Sequence, residues 1–402
     1  MQKKRTRTIQ RVDLSALELA SSETARRINR DILLELIRSD QPISRAELSR
    51  RSGLQRSTVS QITEQLLRER WICEVPGVSS GRGRRPKIIR LNETLAALAV
   101  DIHPKQATYA IVDLNGKLVA KSTSPLTRDP KSSLRLILEH LQRLRANSSA
   151  EIAGIGISVP GRVDPRNDRL IFAPNLRWPD VDLKSRIEAE MEMPVYVGNA
   201  ATACLLAELT FNHNVGNLDA VLVTTSEGVG AGIFANGSII LGHHGMAGEF
   251  GHIPLDPNGP ECACGRKGCW EVFASCRAAL RYYRELQPHD GAVTFSELLN
   301  LLEDGNRFAE EAIERQAYYI GYGMRLIIAS LAPSIIYIAG DVTSAWHRYQ
   351  PLIQEAISDL TIAGEPPRLV PTRDGDLARL RGAAALVFQD RHLHLADPSA
   401  KS

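Results

Sequence analysis

The sequence is short of cysteine and of long apolar runs, and it carries little net charge. Six cysteines in 402 residues cannot build the disulfide framework of a secreted scaffold, so a reducing cytoplasm is the expected compartment. No run of eighteen apolar residues occurs, which argues against a membrane-spanning helix. The opening MQKKRTRTIQRVDLS is basic but has no apolar core behind it, so it does not read as a secretory signal. With 43% apolar and 24% charged residues, what remains is an ordinary globular chain, long enough for two or three domains.

The net charge of +3 hides an asymmetry. Residues 1–95 hold twenty Lys/Arg against eleven Asp/Glu, whereas the remainder holds twenty-nine against thirty-five. A basic head on an acidic body points to a polyanionic partner for the head, the plainer alternative being a solvated basic surface.

Three helical patterns follow one another from Thr24 to Trp71. Ile28, Ile32, Leu33, Leu36 and Ile37 give the first an apolar face of period 3.6, and Gln41-Pro42 ends it. Ser44 with Glu47 reads as a capping box opening the second, which stops at Gly53. The third, LQRSTVSQITEQLLRER, is expected to bury Val59, Ile62, Leu66 and Leu67. Gln55, Arg56, Ser57, Thr58, Ser60 and Gln61 then face outward, as side chains able to reach base edges and phosphates from a major groove. Arg45 joins this candidate DNA-binding set. WICEVP and PKIIRL flank GVSSGRGRR and read as a hairpin whose tip carries Arg82, Arg84 and Arg85, suited to a minor groove or neighbouring phosphates. The expected module is a winged helix-turn-helix spanning 23–91 behind a flexible basic arm, 1–22; a small helical bundle with a basic loop is the alternative. It resembles the winged DNA-binding domain found in front of bacterial sugar-responsive repressors.

After Asn92 strands and helices alternate. LAALAVDIH, ATYAIVDL and KLVAKST precede a helix, the strand AGIGISV, a second helix, VYVGN and a third helix. The opening pattern then returns as AVLVTTS, GAGIFA and SIILG. The Asn115-Gly116 and Asn236-Gly237 turns lie at matching places, 121 residues apart. This recurrence predicts two related α/β lobes, 92–210 and 211–402, with the final helix able to return to the first lobe.

The stretch GHIPLDPNGPECACGRKGCWE, residues 251–271, gathers half of the cysteines. His252, Cys262, Cys264 and Cys269 offer one imidazole and three thiolates, a set suited to tetrahedral Zn2+. Four protein ligands leave no position for an activated water, so the zinc is expected to be structural. Free thiols that merely cluster are the alternative. Glu249 and Glu271 flank the loop, and paired carboxylates suit the hydroxyls of a polyol; partners of the zinc loop are their other reading.

GEFGH (248–252), the histidine–cysteine cluster, PGRVDP (160–165) and APNLRW (173–178) together resemble the ROK family, which groups bacterial repressors with sugar kinases. The resemblance implies a two-lobed actin-like, hexokinase-like (ribonuclease H-like) domain over roughly residues 92–390. It also implies sugar contacts at Glu249, His252 and Glu271, with Gly161, Asn175 and Asn199 as further candidates. Kinases of the family carry an Asn-Asp pair whose aspartate is the catalytic base; here Asn199 is followed by Ala200, which cannot accept a proton. Losing a general base typically removes a factor of about 10²–10⁴. Where such kinases have an Asp-x-Gly-Gly-Thr phosphate loop, this chain has Asp101-Ile102-His103-Pro104-Lys105. Where a glycine-threonine-glycine loop is implied, it has Ser226-Glu227-Gly228. The resulting expectation is a non-enzymatic, zinc-containing transcriptional regulator, a repressor that senses a sugar or sugar derivative. It would bind a symmetric double-stranded operator as a homodimer or homotetramer. An active sugar kinase with an appended DNA head, and a regulator governed by a partner protein, are the alternatives.

Overall fold

The computed structural model describes residues 22–394 apart from 78–86, 128, 177, 179–180, 213–218, 290, 359–364, 373–374 and 376. It divides into two compact units with a boundary between Asn92 and Glu93.

The smaller unit contains α1 (Ser22–Asp40), β1 (Ile43–Ser44), α2 (Arg45–Ser52), α3 (Arg56–Arg68), β2 (Ile72–Pro76) and β3 (Lys87–Leu91). Ser44 caps α2 by accepting the Glu47 N–H at 3.2 Å, and Gly53 ends it in the left-handed conformation. Glu47 turns its carboxylate to Arg50 and leaves the capping box half made. Val59, Ile62 and Leu66 of α3 are buried as the period requires, with Leu67 only half-buried. The first helix differs from the sequence reading. Its buried stripe is Arg30, Leu33, Leu34, Ile37 and Arg38, while Ile28 and Ile32 are exposed. The reason is Arg30, which pairs with Glu69 at 2.6 Å and lies over the Trp71 ring, so its aliphatic stem supplies core surface. The strands form one sheet in the order β1-β3-β2, with Ile72 opposite Leu91 and Pro76 opposite Lys87. The hairpin is therefore present, and its arginine tip falls outside the described residues.

The larger unit opens with β4 (Leu95–Ile102), β5 (Gln106–Asp113), β6 (Leu118–Pro125), α4 (Pro130–Ala146), β7 (Glu151–Val159), β8 (Arg162–Asp164), β9 (Arg169–Phe172), α5 (Leu183–Met191), β10 (Val195–Asn199) and α6 (Ala200–Phe211). It continues with β11 (Ala220–Thr225), β12 (Val229–Ala235), β13 (Ser238–Ile239), α7 (Trp270–Ala274), α8 (Cys276–Leu286), α9 (Phe295–Glu303), α10 (Arg307–Leu331), β14 (Ile335–Ala339), α11 (Trp346–Ser358), β15 (Arg368–Pro371) and α12 (Leu377–His394).

Two five-stranded sheets result, ordered β10-β7-β4-β5-β6 and β13-β12-β11-β14-β15. Numbered within each lobe, both follow the same order: an antiparallel meander, with two parallel strands added beside its first member. The duplication read from the two Asn-Gly turns is thus repeated in every strand of the sheets. The turns themselves differ. Asn236 and Gly237 both have positive φ, whereas at Asn115-Gly116 only the glycine does and the β5–β6 register shifts between Ile111 and Val112.

Two helices tie the lobes together. α6 begins directly at the end of β10 in the first sheet and packs on β12 of the second, where a Cβ on Gly232 would lie 2.8 Å from the Ala201 carbonyl oxygen. α12 follows β15 of the second sheet yet crosses β7 of the first. There the backbones approach so closely that a Cβ on Gly156 would lie 1.7 Å from the Ala383 oxygen. The lobes therefore share a mechanical link through α6 and α12.

Candidate metal centre, effector site and nucleic-acid interface

The cysteine loop is shaped by backbone bonds before any metal is considered. Cys262 N–H donates to Arg266 O at 2.7 Å, and Gly268 N–H to Pro260 O at 2.8 Å. Gly268 sits at φ +64°, and a Cβ there would meet the Asp256 oxygen at 1.5 Å, so no other residue fits. The loop folds His252, Cys262, Cys264 and Cys269 together, their ligand atoms all within 4.8 Å of one another. Cys264 and Cys269 Sγ are 3.7 Å apart, and Cys262 Sγ is 3.6 Å from His252 Nδ1. A tetrahedron of metal–sulfur bonds near 2.3 Å has edges of about 3.8 Å, so these separations fit a four-ligand ion. Burial pushes the Cys262 and Cys269 thiols up, with neighbouring cysteines and Glu271 also acting on both. A bound cation would reverse that and hold thiolates. Among the described residues this is the cluster able to hold a metal. The remaining cysteines do not join it; Cys204 is fully enclosed and its thiol is pushed up to about 12 by burial.

With Nδ1 of His252 turned to the cysteines, its Nε2 faces Glu249 Oε2 at 3.8 Å. Burial raises Glu249, against the attraction of His252 and Arg162, while Glu271 adds to the rise. Glu271 is only 3% exposed. Its Oε2 accepts the Val229 N–H at 3.2 Å, and its Oε1 accepts from Arg277 at 3.1 Å. Asn175 comes from the first lobe. Its Nδ2 and Glu271 Oε2 both lie over Gly228, and its Oδ1 is buried without a protein partner. Arg162, next to Gly161, is similar: its Nε is buried and unpartnered, while its Nη1 reaches the Met246 sulfur at 2.6 Å. Carboxylates, an imidazole, an amide and a guanidinium thus converge from both lobes, a donor–acceptor set suited to a polyhydroxylated ligand.

Asn199 is placed differently from the other candidates. Its Oδ1 caps α6 through Ala201 and Thr202, and its Nδ2 donates to Gly161 O at 2.8 Å. Both ends of the amide are engaged within the protein, and through one Nδ2 proton it holds Gly161, the other being left for a ligand. Arg162 and Arg277 were missed from sequence; the signal for Arg162 is its position within PGRVDP, and for Arg277 there is none.

In the head, Gln55, Arg56, Ser57, Ser60 and Gln61 are exposed along α3 and Thr58 is half-buried. Arg45 is half-buried and engaged by carboxylates. It donates to Glu64 at 2.7 Å and Glu74 at 2.6 Å, joining α2 to α3 and β2. Arg82, Arg84 and Arg85 lie outside the described residues.

Two family profiles match the chain: winged helix-turn-helix DNA-binding over residues 26–72, and ROK family over residues 97–390. The chain belongs to the ROK family. Its body is the two-lobed hexokinase-like fold, preceded by a winged helix-turn-helix. Among ROK relatives, a xylose repressor of Bacillus spizizenii is 29% identical over 383 residues, covering 93% of this chain and 98% of its own. The crystal structure of a ROK family transcriptional regulator, a homolog of the Escherichia coli MLC protein, aligns over 92% of this chain and 98% of its own with TM-score 0.78 and 26% identity. A ROK glucokinase from Streptomyces griseus, in complex with glucose and AMPPNP, aligns over 73% of this chain and 99% of its own, with TM-score 0.68 and 26% identity. The kinase alignment is thus shorter by about the length of a head. Among the described residues, no helix is long and apolar enough to cross a membrane.

Proposed function

We propose that this chain is a sequence-specific DNA-binding transcriptional regulator, a repressor of sugar-utilisation genes whose kinase-derived body senses a sugar or sugar derivative. The observation that carries it is the joining of a winged helix-turn-helix, with the polar face of α3 exposed, to a ROK body. The family resemblance, by which Ala200 stands where kinases have their base, agrees with it. The relatives that span nearly the whole chain support the reading, since they are described as a repressor and a transcriptional regulator.

In this reading the basic arm is 1–22, the head 23–91, the first lobe 92–210 and the second lobe 211–402. Gln55, Arg56, Ser57, Thr58, Ser60 and Gln61 enter a major groove, and Arg82, Arg84 and Arg85 reach the backbone or minor groove beside it. Arg45 holds α3 in place for them. Zn2+ occupies His252, Cys262, Cys264 and Cys269 and is structural, since its four positions are filled by protein. Holding His252 through Nδ1, it aims Nε2 at the effector alongside Glu249 and Glu271, with Asn175 and Gly161 opposite. Phosphoryl transfer is absent, because Ala200 takes no proton and Pro104 and Glu227 do not favour phosphate. The protein works in the cytoplasm as a homodimer or homotetramer on a two-fold operator.

Incubating the purified protein with sheared genomic DNA from its source, washing at near-physiological salt and sequencing the retained fragments tests this. Recovery of a few intergenic palindromes is expected, and the neighbouring genes then nominate the sugar. Retention without sequence preference would overturn the regulator reading.

A further inference from the structure

The turn Ser226–Gly228 touches two sets of residues with different fates. At one end Gly228 packs beneath the effector groups: a Cβ there would lie 2.4 Å from Glu271 Oε2 and 3.1 Å from Asn175 Nδ2. In the middle Glu227 faces Arg277, at 4.0 Å, and Arg277 in turn holds Glu271. At the other end Ser226 Oγ accepts from Arg379 of α12 at 2.8 Å. The same guanidinium approaches His103 at the end of the first sheet, 2.6 Å from Nε2 and 3.1 Å from Nδ1. His103 Nε2 is 2.7 Å from Asp101 Oδ2, and Asp101 Oδ1 accepts from Ser158 Oγ at 3.1 Å. Nε2 cannot serve both neighbours: with its proton it donates to Asp101 and leaves Nδ1 to accept from Arg379 at 3.1 Å, and without it Nε2 accepts from Arg379 at 2.6 Å. Asp101, Ser226 and Arg379 are buried.

This chain of contacts runs from β4 of the first lobe, through α12, to β11 of the second. A motion that separates β4 from β11 breaks a link in it, and a buried guanidinium does not give up a partner at little cost. We propose that Asp101–His103–Arg379–Ser226 is an interlobe latch, set by the effector through the Ser226–Gly228 turn. The inference rests on the sugar-sensing reading above and adds how the bound sugar is felt by the lobes. A ligand drawing Glu271 and Asn175 together moves Gly228, and the short turn passes that movement to Ser226. The latch thereby gives two discrete lobe arrangements for the effector to favour between.

Amide hydrogen exchange on the full-length protein tests the latch itself, in wild type, Arg379→Gln and the milder Ser226→Ala. Amides of 101–106 and 225–228 are expected to exchange at least about tenfold faster in both variants, with 26–72 unchanged. Unchanged exchange in both variants overturns the latch. D-xylose, D-glucose and N-acetyl-D-glucosamine are then titrated by calorimetry. A sugar that binds wild type and Arg379→Gln alike, but releases operator DNA at least about tenfold less effectively from the variant, is the expected result. Equal release overturns the transmission, and loss of sugar binding in the variant also overturns it by placing Arg379 in the effector site. If no sugar binds wild type, the sensing reading fails and the transmission with it, while the exchange rates still decide the latch.

Discussion

On one side of the Ser226–Gly228 turn, Asn175 Oδ1 and Arg162 Nε are buried without protein partners, beside Glu249 and Glu271. On the other side Asp101, His103, Arg379 and Ser226 are bonded into a continuous chain. Both sides descend from one fold, whose kinase members include a glucokinase solved with a sugar and a nucleotide analogue. Unpartnered buried polar atoms are costly unless water or a ligand satisfies them, whereas a satisfied network gains nothing from either. The difference teaches that polar atoms at one end have no protein partner, as the proposed sugar site requires, whereas those at the other are engaged by the protein's own side chains.

The comparison is broken most severely by taking away the scaffold of the unpartnered side. Cys264→Ser should abolish bound zinc and lower the stability of the second lobe by more than about 4 kcal/mol. Metal analysis and a two-transition melt check this, and the winged head should keep its own transition and its affinity for DNA. Retained metal with unchanged melting would contradict the site. Next in size, Glu271→Gln should weaken sugar binding about ten- to a hundredfold, by the loss of charge-assisted hydrogen bonds worth about 1.5–3 kcal/mol. Calorimetry measures it, and a melting temperature near that of wild type distinguishes lost contacts from lost fold. Arg84→Ala should reduce the salt dependence of operator binding by about one phosphate contact, read as the slope of log affinity against log salt. The smallest effect tests the engaged side. Ala200→Asp restores a base, yet sugar-dependent hydrolysis of ATP should stay at background, because the departures from the family's phosphate loops at His103-Pro104 and Glu227 remain. Turnover in that variant would show the engaged end to admit a nucleotide after all.

Local features were legible in the sequence and distant ones were not. The cysteine loop could be read because its ligands are close in the chain and their spacing leaves few other uses. The α3 face and the paired sheets were legible through period and turn chemistry. Reading α1 from its apolar period succeeds at Leu33 and Ile37 but fails at Ile28 and Ile32, because Arg30 buries its stem against Trp71 and competes with them for the core. Arg45 looked like a DNA contact since it lies in a basic head; its carboxylate partners Glu64 and Glu74 come together with it only in the fold. His103 read only as a departure from the kinase phosphate loop, whereas its contact with Arg379, 276 residues away, makes it part of a link between lobes. No local pattern encodes such a contact.

The most direct test is to titrate the operator-bound full-length protein with the sugar nominated by its target genes, with and without ATP, following DNA release by fluorescence anisotropy and ADP by a coupled assay. Release by sugar alone, unchanged by ATP and without ADP, is the predicted result. DNA that stays bound at saturating sugar, or ADP formed at the rate of an ordinary kinase, would contradict it.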